Sequence, residues 1–175
     1  MKRLAVIAVC LTISGPSFAQ SVGEKTGVNS VLGVSPSTAD FVKEAAISDM
    51  FEIQSSELAA QKADAPTKAF ATQMIADHQK TSTELKSMLQ GGTVQASVPA
   101  EMDSARQKML DKLKGLNGSD FTKQYHDDQV DAHKDAVSLF QRYAKGGDNT
   151  ALKDWAGKTA PALEHHLQMA QELDK

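Results

Sequence analysis

The sequence predicts an all-α protein built as a four-helix bundle. Beyond residue 37, Ala, Leu, Lys, Glu, Gln and Met, all good helix formers, fill long stretches, and strand patterning is nearly absent. Gly, Pro and Asn/Asp positions divide those stretches into four long segments and one short one. The connections between the segments are unequal in length, which limits how the helices can be threaded.

The first helix is expected over 38–62, with Ser37 as N-cap and Asp40 in its first turn. Asp64, Ala65 and Pro66 open the second, which runs to about Gln90 and stops at Gly91-Gly92. A polar connector through Pro99 leads to a short helix near 100–114, ended by Gly115 and Asn117-Gly118. Ser119 is the expected cap of a helix over 120–145, and Asn149 or Thr150 starts the last one, with a bend expected at Pro161. Short links make the first two long helices one antiparallel hairpin and the last two another, whereas about 28 residues lie between the hairpins. A 25-residue helix is about 37 Å long, and the intervening segment can return along it. The result is up-down-down-up, the ferritin-like form of the bundle; a plain up-down bundle with a decorated loop is the alternative.

Residues 1–19 read as a Sec signal peptide. Met1-Lys2-Arg3 is the basic start, Leu4 to Ile13 the apolar stretch, and Ser17-Phe18-Ala19 a cleavage site, so the protein is expected to be periplasmic or otherwise exported. The apolar run is about ten residues against the roughly 20 that a membrane span needs, so no transmembrane anchor is expected in the mature protein. The bulky Val9 argues against lipidation of Cys10. Cleavage removes Cys10, the single cysteine, which excludes disulfides, thiolate catalysis and cysteine-based metal sites. It also removes Lys2 and Arg3, taking the net charge from −3 to −5. Acidic and basic residues are interleaved, so no nucleic-acid partner is expected; an envelope protein or a second copy of the chain are the candidates. Residues 20–37, rich in Gly, Ser, Val and Thr, are expected to be a flexible leader, and 38–175 the domain.

At 100° per residue, several polar side chains fall among apolar ones. On the fourth predicted helix, His133, Gln129 and His126 lie within about 40° of Phe140 at the middle of the apolar face. His78 lies about 40° from Met74 on the second, and His166 about 60° from Leu163 on the last, whereas His165 points away. Phe41, Ala45 and Ala59 lie within about 20° of Glu52 on the first helix, so Glu52 points inward too. In the up-down-down-up threading, Glu52, His78, His133 and His166 occupy about 8 Å of axial height, one from each long helix.

Imidazole and carboxylate groups converging in a bundle core are first-row transition-metal ligands, with Fe, Mn, Zn and Cu as candidate ions and Gln129 and His126 as additional candidate ligands. Water could complete the shell. The competing reading is a structural polar layer in which each histidine is bonded to a neighbour such as Asp49 or Gln129 and only helix register is served. An oxidase or peroxidase acting at the metal is a third reading. His165 to Met169 and the Met-bearing faces suggest copper more weakly than they suggest core packing. Asp127, Asp128 and Asp131 read as a solvated face and Trp155 as a core anchor. No catalytic residues are assigned, since no nucleophile elbow or oxyanion hole is readable.

The runs Glu52-Ile53-x-x-Ser56-x-Leu58-Ala59, Lys68-Ala69-Phe70-Ala71-x-x-Met74-Ile75-x-Asp77-His78, Tyr125-x-x-x-Gln129-x-x-x-His133 and Pro161-x-Leu163-x-x-His166-Leu167 resemble the exported bacterial domain DUF4142 over about residues 38–174. The resemblance implies a ferritin-like helical domain, sometimes outer-membrane associated, with Glu52, His78, Gln129, His133 and His166 as the positions of interest. Di-iron ferritin-like proteins use Glu-x-x-His pairs. Here Ile75, Val130 and Leu163 stand three residues before the histidines, so a mononuclear His-rich site is expected rather than a di-iron centre.

Overall fold

The structure, a computed structural model, describes residues 28–173. The expected signal peptide with Cys10, and residues 20–27 of the leader, lie outside the described residues. Six helices and no strand occur among the described residues: α1 Val28–Leu32, α2 Thr38–Lys62, α3 Ala65–Gln90, α4 Ser104–Gly115, α5 Gly118–Gly146 and α6 Thr150–Leu173. None of these helices is long and apolar enough to cross a membrane.

Helix starts follow local capping chemistry. Ser37 accepts from the Asp40 N–H at 3.1 Å, Asp64 from that of Thr67 at 3.0 Å and Asn149 from that of Leu152 at 2.9 Å. Each interaction satisfies a first-turn donor that would otherwise lack a partner. Asp103 does the same for Ala105 and Arg106 at the head of α4, four residues later than expected. The expected cap at Ser119 is displaced: α5 begins at Gly118, whose φ of +57° suits glycine, and Asn117 occupies the cap position with no side-chain bond. Helix α6 continues through Pro161.

The threading is up-down-down-up. Helix α2 packs on α3 and α5 on α6, while α2 also meets α5 and α3 also meets α6. Thr38, at the start of α2, donates its backbone N–H to Asp148 just beyond α5, and Ser56 Oγ lies 2.8 Å from the Tyr125 hydroxyl. Helices α2 and α5 are therefore antiparallel. Thr67 and His126, each near the start of its helix, meet at 2.9 Å, so α3 and α5 run the same way. The crossover of residues 91–117 carries α4 back along the bundle.

Part of the expected leader is helical. Ser30 of α1 bonds Ser138 at 3.1 Å, and Arg142 donates to the Val34 carbonyl at 2.6 Å, which holds this stretch on α5. The sequence carries no amphipathic period there because so short a helix needs none.

The core has two apolar blocks. One, around Phe41, Val42, Leu85, Phe140, Tyr143, Leu152 and Leu163, fills the end where α2 begins. The other, around Phe51, Phe70, Met74, Leu110, Leu113, Phe121 and Tyr125, fills the opposite end. Each large side chain buried there contributes about 1.5–3 kcal/mol. Trp155 packs against the first block with its indole N–H donated to Glu84 at 2.8 Å. Between the blocks lies a layer of buried polar residues: Asp49, Glu52, His78, Gln129, His133 and His166.

Candidate metal centre

His78, His133 and His166 come from α3, α5 and α6 and are each at most 4% exposed. Their ring centroids lie 5.5–5.6 Å apart in all three pairings, a nearly equilateral triangle. One ligating nitrogen from each lies within 4.8 Å of the other two.

Every ring is anchored on its outer nitrogen. His78 Nδ1 donates to Asp49 Oδ1 at 2.8 Å, His133 Nδ1 to the Gln129 carbonyl at 2.9 Å, and His166 Nε2 to Asp77 Oδ2 at 3.0 Å. An N–H committed to an acceptor leaves the other ring nitrogen with its lone pair. Those inner atoms, His78 Nε2, His133 Nε2 and His166 Nδ1, are buried without a hydrogen-bond partner. Asp49 is itself held in place by Thr81 Oγ1 at 2.9 Å and Ser82 Oγ at 2.9 Å, and Asp77 by Gln73 at 2.7 Å. An imidazole fixed from behind by a carboxylate or carbonyl is the usual support for a metal ligand.

Glu52 and Gln129 sit beside this triangle. Glu52 Oε1 is 4.0 Å from His133 Nδ1, the ring nitrogen turned away from the trio, and the group of ring nitrogens that could hold an ion does not include Glu52. Neither of its carboxyl oxygens has a hydrogen-bond partner. Burial raises its pKa, and His78 and Gln129 offset only part of that. Gln129 supplies its carbonyl to His133 and its amide to Ser55 Oγ at 3.3 Å, with Oε1 unpartnered. His126 is not in the cluster; it lies at the α3 and α5 starts, with Nε2 2.9 Å from Thr67 Oγ1. Helical angle placed it inward, and only its depth along α5 separates it from His133. His165 is exposed.

Burial and neighbouring charges set the protonation of each ring. Burial drives the His133 pKa down to about 3 and that of His166 to about 4, in both cases reinforced by neighbouring imidazoles, so these rings are neutral at neutral pH. Burial also opposes charge on His78, yet Asp49 and Glu52 outweigh it and raise its pKa. Nearby Asp49 and Glu52 thus favour a proton on this one ring of the three.

The donor set fits a single ion. Nitrogens within 4.8 Å of one another lie no more than about 2.8 Å from a common centre, and metal–nitrogen bonds near 2.0–2.1 Å need each ring to close by well under about 1 Å. The residues that anchor the rings were the less legible part. Asp77 adjoins His78 in sequence but serves His166 on another helix, and only the α3–α6 contact reveals that. Asp128, read as solvated, is buried; Gln124 donates to its Oδ1 at 2.8 Å, and burial raises its pKa. Its position is under the crossover, which a single-helix projection does not show.

Fold and centre together define a helical-bundle protein with an anchored three-histidine layer between two apolar blocks. The family model of DUF4142, a domain of unknown function, matches residues 23–173, and the chain belongs to that family. Among solved structures it is similar to CopM in the Cu(II)-bound form, with 18% sequence identity, a TM-score of 0.67, and coverage of 81% of this chain and 97% of CopM. At that identity the likeness concerns the fold. No curated protein matches the chain.

Proposed function

We propose that this protein binds one first-row transition-metal ion, copper foremost, through His78 Nε2, His133 Nε2 and His166 Nδ1, and that it does so after export. One observation carries the reading: three buried imidazoles, each anchored on its outer nitrogen, turn unpartnered inner nitrogens toward one point. A layer serving helix register alone would satisfy those atoms, since buried polar atoms without partners are costly.

Neutral imidazoles suit Cu, Zn, Fe and Ni better than Mn, and the affinity order among divalent ions favours Cu(II). The likeness to CopM, a protein whose structure holds Cu(II), supports testing copper first. Glu52 stands beside the trio rather than as a direct ligand, a change from the four-ligand set expected from the sequence. The basic and apolar segments at the N-terminus support export.

The test is metal analysis of untagged mature protein, repeated for His78→Ala and His133→Ala. Near-stoichiometric ion in the wild type, lost in both variants, supports the centre. No ion at any supply, with both variants merely less stable, replaces it with the structural polar layer. Consumption of peroxide by the loaded protein would favour the oxidase or peroxidase reading.

A further inference from the structure

A three-nitrogen set leaves at least one position of a bound ion to another ligand, and one cavity bears on it. A cleft of about 420 Å³ opens between α3 and α6. His78 and His166 line it and His133 does not, so the cleft approaches the trio from the side opposite Glu52 and Gln129 on α2 and α5. Both lining histidines are buried, with their inner nitrogens unpartnered.

The walls have a definite chemistry. Asp77 is engaged by Gln73 and His166, and Glu84 by the Trp155 indole. Thr81 and Thr159 direct their hydroxyl protons to Asp49 and to the Trp155 carbonyl. Lys80 and Lys158 also line the cleft and are exposed. Trp155, Ala162 and Leu163 supply an apolar wall. The volume falls in the range of small-molecule sites, about 300–1,000 Å³, and greatly exceeds the roughly 30 Å³ of a water.

We propose that this cleft takes a small organic carboxylate whose head group completes the coordination of the ion held by the three histidines. This rests on the metal reading above. The two ammonium groups balance Asp77 and Glu84, the ion itself draws the incoming carboxylate, and the ligand's carbon chain lies along Trp155 and Leu163. A bare halide would leave that apolar wall and most of the volume unused, and an organic cation would be repelled by the ion it has to ligate.

The test uses the mature protein loaded with Co(II), whose visible spectrum reports its ligands, and with Zn(II), which leaves fluorescence readable. Trp155 is the single tryptophan of the chain and stands in the cleft. Titrated propionate is expected to change both the Co(II) spectrum and the Trp155 emission of the Zn(II) form, saturably. Replacing both lysines, Lys80→Gln with Lys158→Gln, should weaken that binding roughly tenfold, as loss of two nearby charges implies. Failure to take up either ion overturns the metal reading and this one with it. Stoichiometric ion with no response to propionate overturns the carboxylate site alone. An unchanged affinity in the double variant, or an equal response to chloride at matched ionic strength, does the same.

Discussion

The Tyr143 end of the bundle and the histidine layer are both buried and both contain polar atoms, but only one of them is internally matched. At the Tyr143 end the ring stacks on Phe41 with centroids 4.1 Å apart, and the hydroxyl reaches Thr38, Asp148 and Asn149. In the layer, the inner nitrogens of three histidines, both oxygens of Glu52 and Oε1 of Gln129 lack partners. The matched end holds the fold together. The unmatched layer costs stability, a cost that the metal-binding reading proposed above would account for, as in the trade-off expected of a functional site.

The sharpest way to break the comparison is to hollow out the matched end. Phe41→Ala should cost about 3–5 kcal/mol in urea unfolding, since the ring is fully buried against Phe140, Tyr143 and Trp155. If the two regions have separate roles, the folded fraction of that variant should still take up metal with the wild-type stoichiometry.

Metal loading should act on the layer alone. At free copper or zinc one hundred times the dissociation constant, the wild type should gain about 2.7 kcal/mol, and removal of the ion by chelation should reverse it. His133→Ala should gain nothing under the same conditions. A variant stabilised as much as the wild type would place the ion elsewhere.

Substituting the orphaned carboxyl should go the other way from an ordinary core mutation. Glu52→Leu is expected to stabilise the metal-free protein by about 1–3 kcal/mol, because a fully buried group with two unpartnered oxygens is replaced by an apolar one. A loss of stability in calorimetry would show that Glu52 is satisfied in solution and that the layer is a structural network.

The smallest effect belongs to Asp148. Hydrogen bonds from Thr38, then from Tyr143, hold its pKa below the usual value, so it adds stability above the unfolded pKa. That contribution fades as pH falls below about 4, through its lowered folded pKa. The difference between wild type and Asp148→Asn, followed by unfolding at a series of pH values, should therefore be steady near neutrality and shrink in acid. A difference that grew in acid would contradict the matched-end description.

Much of this was readable from local pattern. Ser37, Asp64 and Asn149 announced three helix starts because capping is a contact between residues three apart. His78, His133 and His166 were placed on inward faces at one depth because periodicity and rise per residue are fixed by the backbone. Ser119 misled because the turn at Gly118 set the start of α5 instead. His126 shares the inward face of His133 yet lies at the end of the bundle against Thr67. Asp128 looked solvated because α4, which covers that side of α5, is distant in sequence.

The sequence by itself determined the five helices beyond residue 37, their threading and the inward placing of Glu52, His78, Gln129, His133 and His166, since each follows from spacings of a few residues and from connection lengths. Tertiary structure alone decided which nitrogen of each ring turns inward, that Asp77 serves His166 while Asp49 serves His78, that Glu52 stands beside the trio, and that a cleft lined by His78 and His166 opens between α3 and α6. Those outcomes depend on how far neighbouring helices are rotated and slid against one another. Shifts of an ångström or two there exchange hydrogen-bond partners while leaving every helical spacing unchanged.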